Sequence, residues 1–148
     1  MKTTKKMSHK IIASYIKDFE FRIPEPEVFF QLSKDISNYK INLDIQSKEH
    51  KQKIIEVDVS LSLIPVNNSE KKIHTSITYA SIVQIEDNVS KEELEKIVLI
   101  SVPKKIYDNL RDAFIFSFES CGFKDIKIDK EVDFEKLYLS RKTSKSFS

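Results

Sequence analysis

Apolar and polar residues alternate along four stretches in the first half of the chain and recur at spacings of three and four in the second half. These are the periods of strands and helices. In SYIKDFEFRIP (14–24), Tyr15, Phe19, Phe21 and Ile23 share one parity with Lys17 among them, while Asp18, Glu20 and Arg22 take the other. KINLDI turns Ile41, Leu43 and Ile45 one way. In IIEVDVSLSLIP (54–65), Ile55, Val57, Val59, Leu61 and Leu63 alternate with Glu56, Asp58, Ser60 and Ser62, as in a sheet with one buried and one wet face. IHTSITYASIVQIE (73–86) follows with Ile73, Thr75, Ile77, Tyr79 and Ser81 before Val83 and Ile85. PEPEVFFQLSKDISNY (24–39) has two prolines and no sustained period, and reads as a crossover with one helical turn. QSKEHKQK and PVNNSEKK read as polar connections, so the strands form an antiparallel sheet.

Helical signals begin at VSKEEL. Ser90 is placed as an N-cap, Glu93 as its capping-box partner, and Val89 can staple against Leu94. Pro103 lacks a backbone donor and is expected to kink or interrupt the helix. Tyr107, Leu110, Phe114, Phe118 and Cys121 then form one broad apolar stripe. Gly122, the single glycine of the chain, suits the left-handed residue past a helix end, with Phe123 able to touch Phe118. In VDFEKLYLSRK, Asp133 caps a short last helix and Val132 can staple to Leu137. Strands first and helices second predict an α+β domain: a four-stranded antiparallel sheet followed by two helices packed on one face.

Composition narrows the functional classes. A chain of 148 residues, 40% hydrophobic and 32% charged, suits one globular domain, expected over residues 11–141 between a basic arm (1–10) and a basic tail (142–148), both disordered. One glycine leaves no glycine-rich phosphate loop and no nucleophile elbow. The longest apolar run, IVLI (97–100), is too short for a membrane span, and no signal segment follows the basic N-terminus, so a cytoplasmic protein without stable membrane insertion is expected. Of 25 basic residues, seven (Lys2, Lys5, Lys6, Lys10, Arg141, Lys142 and Lys145) lie in residues 1–10 and 141–148, which carry no acid. The body between them therefore holds 18 basic against 23 acidic residues and would repel nucleic acid.

Nothing converges for catalysis. His9, His50 and His74 are dispersed, the first two beside lysines in segments expected to be mobile. Cys121, at a helix C-terminus that disfavours thiolate, reads as a small apolar filler. Glu92, Glu93 and Glu95 are accounted for by capping and a solvated face. No enzyme, cofactor or metal is expected. On the last long helix, however, the 3.6-residue period puts Phe116 almost opposite the buried stripe and Ile115 to one side, which points to burial against another subunit.

The order of particular residues goes further. Tyr15, Lys17, Asp18, Phe21 and Pro24 in SYIKDFEFRIP resemble the opening strand of the SecB protein-export chaperone family. The resemblance continues through INLDI, IIEVDVSLSL, ITYASIVQIE, Pro103, Arg111, Gly122 and VDFEKLY, covering roughly residues 11–139. Departures are the missing second proline in IYDNLR, Ala80 and Ser81 where the family has glycines, Arg22 in place of an acid, and a basic rather than acidic tail. The resemblance implies a homo-oligomer, a dimer of dimers assembled through the long helices, with Ile115 and Phe116 at the interface. It implies an ATP-independent holdase that binds unfolded or newly made polypeptides in an apolar groove lined by Phe29, Phe30, Ile36, Tyr39, Phe134, Leu137 and Tyr138. The further partner would be the SecA motor ATPase in export, or an antitoxin if the chaperone is dedicated to one toxin–antitoxin pair. A third alternative is an oligomeric interaction module without chaperone activity.

Overall fold

Strands β1 (His9–Arg22), β2 (Tyr39–Lys51), β3 (Ile54–Pro65) and β4 (His74–Ile85) form one sheet in the order β1-β4-β3-β2, every pair antiparallel. They are followed by α1 (Lys91–Lys96), a π-helical turn (Ile97–Ser101), α2 (Val102–Ser120) and α3 (Phe134–Ser146). The computed structural model describes residues 8–23, 25–27, 29–30, 39–65, 74–123 and 128–146. Strands β1 and β2 are opposite edges of the sheet, and Pro26, Glu27, Phe29 and Phe30, which lie between them in the chain, are helical. This is the α+β plan that the alternation predicts.

The helices pack on the face formed by odd-numbered positions of β2, β3 and β4. Val57, Val59, Leu61, Ile77 and Val83 there meet Val102, Ile106, Leu110, Phe114 and Phe118 in one core. Phe118 is fully buried and makes ring contacts with Phe21, Phe114 and Phe123 at centroid distances of 4.9, 5.1 and 5.7 Å. Helix ends obey the local signals. The Ser90 hydroxyl accepts from Glu93 N–H at 3.1 Å, and Asp133 accepts from Lys136 N–H at 3.0 Å. Past α2, Phe123 N–H reaches Phe118 O and Gly122 N–H reaches Glu119 O, with Gly122 at φ 96°, a Schellman ending.

Three local expectations are corrected. QSKEHKQK is not a connection: β2 runs through it to Lys51, a tight turn follows, and Lys53 adopts φ 69°. Residues 46–51 are exposed on both faces, so no alternation marks them as strand. His50 is accordingly held in β2 rather than in a mobile segment. Cys121 is exposed, not a core filler. Helix α3 runs to Ser146, and β1 starts at His9.

Strand β1 departs most from simple alternation. Its register against β4 slips between Ile11 and Ala13 and again between Ile16 and Asp18, so Ile12 and Lys17 are bulge residues. The second bulge reverses the parity. Phe19 and Phe21 oppose Ile77 and Thr75 on the helix side, whereas Tyr15 opposes Ala80 on the outer side. Lys17 is thereby released to the outer face, where its ammonium donates to Glu56 and, at 3.0 Å, to Asp58. Ala80 lies between β1 and Asp58 in the ladder, and its methyl leaves room for the lysine to cross β4. His50 Nε2 meets the other Glu56 oxygen at 2.8 Å, so one carboxylate joins β1, β2 and β3.

Glu56 is only 5% exposed. Lys17, then His50, hold its carboxyl well below the usual range, at about 2. Asp58 moves the other way: burial and the neighbouring Glu56 push it up, and its Oδ1 has no partner among the described residues.

Two measurements check this packing. Phe118→Ala removes the ring at the junction of β1, α2 and the Schellman turn and should lower the unfolding free energy by about 3–5 kcal/mol in urea denaturation. A carboxylate with a depressed folded pKa contributes stability above its unfolded pKa that is lost as pH falls through the folded one. For Glu56 the window runs from 4.5 to about 2, while Asp58, with a raised pKa, opposes folding as it ionises. The thermal midpoint should therefore fall as pH is lowered through that window. Glu56→Gln should lower the midpoint at neutral pH and flatten the acid limb; an unaltered limb would contradict the network.

Candidate functional site

Helix α2 crosses β4 and β3, touches β1 lightly and leaves β2 largely to the side. A helix is about 10 Å across and strands lie about 4.8 Å apart, so one helix covers about two strands. The apolar side chains of β2 must therefore find other cover. Ile41, Leu43 and Ile45 are half-buried against the edge of the core.

Above them opens a cleft of about 750 Å³. Its floor is Ile45 and Ile55, and its walls are Leu94 of α1, Val98 and Leu99 of the π turn, and Tyr138 and Arg141 of α3. A smaller extension of about 250 Å³ continues along β2 between Leu43, Leu99 and Leu137. Apolar walls thus follow an open sheet edge, with Lys91, Glu49, Glu95 and Arg141 as charged groups around them. Tyr138 fixes one wall: its hydroxyl donates to Glu95 at 3.3 Å, tying α3 to α1.

The other flank of α3 is closed against α2. Phe134 meets Tyr107 edge to face at 6.0 Å, and the Tyr107 hydroxyl donates to Asp129 O at 2.6 Å. Arg111 Nε donates to Ile128 O at 3.1 Å, so two α2 side chains secure the segment entering α3. Burial pushes the Tyr107 hydroxyl's pKa up, in keeping with a protonated donor at this position.

The residues expected to line a groove are distributed unevenly. Leu137, 48% exposed, and Tyr138, buried but bordering the cleft, belong to it. Phe134 is buried and borders a different cavity, with Lys104 and Tyr107. Phe29 packs on Phe123 at 4.6 Å, near Gly122 at the far end of α2, and carries the 64% exposed Phe30 against it. Ile36 lies outside the described residues, as does the side chain of Tyr39, which begins β2.

Leu43, Ile45, Leu94, Val98, Leu99 and Arg141 complete the site, although the sequence reading places none of them in the groove. The signal was nevertheless present: four consecutive apolar residues at 97–100 cannot all face one core from one helix.

A second apolar surface runs along the other edge. Ile12, Tyr15, Ile16 and Phe19 of β1 are each about half exposed, although Phe19 reads from alternation as a core residue. Ile16 and Phe19 face the helix side yet stay half exposed there. Phe116 is 69% exposed on the outside of α2, whereas Ile115 is partly buried against the core. No helix among the described residues is long and apolar enough to cross a membrane.

Comparison with known proteins converges on one family. A family model described as "Preprotein translocase subunit SecB" matches residues 2–145. The chain is 41% identical over 135 residues to the "Putative protein-export protein SecB" of Pelagibacter ubique (strain HTCC1062), covering 90% of this chain and 96% of that protein. It is 24% identical over 131 residues to the protein-export protein SecB of Bartonella quintana (strain Toulouse), covering 88% and 82%. The fold is similar to that of a SecB-like chaperone of Mycobacterium tuberculosis, solved with a ChAD peptide from the HigA1 antitoxin. The TM-score is 0.59 at 12% identity, over 84% of this chain and 91% of that one.

Proposed function

This chain belongs to the SecB family, a family of chaperones rather than of enzymes, and on that premise we propose that it holds unfolded polypeptide segments in the cleft beside β2 without using a nucleotide. The observation that carries this reading is the pairing of an apolar cleft with an uncovered sheet edge. Leu43, Ile45, Leu99 and Leu137 face a space that the protein's own helices do not fill. Each apolar side chain of a client buried there is worth about 1.5–3 kcal/mol. Several such contacts in a row hold a chain firmly while each one breaks easily, so release follows from competition rather than from hydrolysis. In export, the loaded chaperone would then pass its client to the SecA motor ATPase.

Assembly belongs to the same proposal. The exposed apolar residues of β1 flank an open strand edge, which invites pairing with a second copy. Phe116 on α2 supplies a separate contact through which pairs become a dimer of dimers. Ile16→Lys combined with Phe19→Lys should reduce the mass measured by sedimentation, and Phe116→Lys should do so by a different step. A monomer at all concentrations in the unaltered protein would remove the assembly half of the proposal.

The client half is tested with a chemically unfolded protein diluted into buffer without ATP. The chaperone should suppress light scattering from several unrelated clients. Leu99→Glu with Leu137→Glu should weaken that protection by about tenfold or more, as loss of two apolar contacts requires, with the circular dichroism unchanged. Protection of one client alone would mark a dedicated chaperone, such as that of an antitoxin. Protection of none would leave only an interaction module.

A further inference from the structure

The helix from Lys91 to Ser120 is interrupted by one π turn, Ile97–Ser101, in which Val102 N–H bonds to Ile97 O, five residues back. Such turns insert one residue into an α-helix and cluster at functional sites. Pro103, fully buried just after the turn, gives this one a cause. In an α-helix its ring would press on the carbonyl of Leu99, four residues back, and it has no N–H to offer that carbonyl. A wider turn accommodates both defects.

The extra residue changes where α1 points. At about 100° per residue, the buried stripe of α2, which includes Val102, Ile106, Phe114 and Phe118, centres on Leu110. Extended backwards as an unbroken α-helix, that stripe would leave Val98 about 120° and Leu94 about 160° away from it, facing solvent. One inserted residue returns both by about 100°, to within about 20° and 60° of the stripe. Leu94 and Val98 are in fact half-buried against the core and line the cleft together.

We propose that the π turn, held by Pro103, is the device that aims the α1 wall of the cleft, and that Pro103 is therefore a positioning residue for client binding. This inference rests on the cleft being the client site, but the aim itself can be read without a client.

The experiment compares Pro103→Ala with the same substitution plus deletion of Ile100. Pro103→Ala lets the helix close into α-register and turns Leu94 and Val98 outward. Deleting one residue brings α1 back into phase with α2 in a helix that no longer needs the bulge. Nuclear Overhauser contacts from the Leu94 and Val98 methyls to Ile45 and Ile55 should be present in the unaltered protein, lost in Pro103→Ala and recovered in the double variant. Affinity for an unfolded client should fall by about tenfold and then recover, since one or two apolar contacts are lost and regained. Recovery by a deletion is an effect that a merely stiffening proline would not show. Contacts retained in Pro103→Ala, or absent from the double variant, would overturn the inference. Contacts that follow the prediction while affinity does not would support the aiming role and count against the cleft as the client site.

Discussion

One helix cannot cover four strands. The sheet of this protein is about twice as wide as the helix that packs on it, and α2 settles over the central strands β3 and β4. Both surplus apolar surfaces of the sheet follow from that mismatch. Apolar helix-side residues on both edge strands, Leu43 and Ile45 on β2 and Ile16 and Phe19 on β1, are left partly exposed. At β2 the shortfall becomes a cleft, roofed only in part by the π turn and α3. At β1 it leaves Ile16 and Phe19 half exposed.

The outer face meets a different demand. It has no helix at all among the described residues, and a buried carboxylate there would be untenable without a partner. Lys17, thrown to that side by a bulge, and His50 supply partners for Glu56 from both edges of the sheet. The same bulge twists the β1 edge, which leaves Tyr15 on one face and Phe19 on the other. Polar order on one side of the sheet and surplus apolar surface on the other are thus connected through a single irregular strand.

Features that depend on a few neighbouring residues were legible in the sequence. The caps at Ser90 and Asp133, the Schellman ending at Gly122 and the alternation of β3 each need only local chemistry. Features created by distant partners were not. The Lys17 bulge serves carboxylates 39 and 41 residues away, and the last six residues of β2 carry no pattern because neither face is buried. Pro103 announces a disturbance in the helix, but its form, a π turn instead of a break, depends on packing at both ends. The candidate groove was legible as a surplus of apolar residues and not as a list. Leu137 and Tyr138 border the cleft, while Phe134 is absorbed by Tyr107, a contact no spacing rule reveals.

The central claim is that the uncovered helix-side face beside β2 is where foreign polypeptide binds. Methyl-resolved nuclear magnetic resonance, with an unfolded client added to the intact protein, tests it most directly. The account predicts shifts at Leu43, Ile45, Leu99 and Leu137 and none at Ile82 on the outer face. Shifts confined to the outer face, with the cleft methyls unmoved, would contradict it.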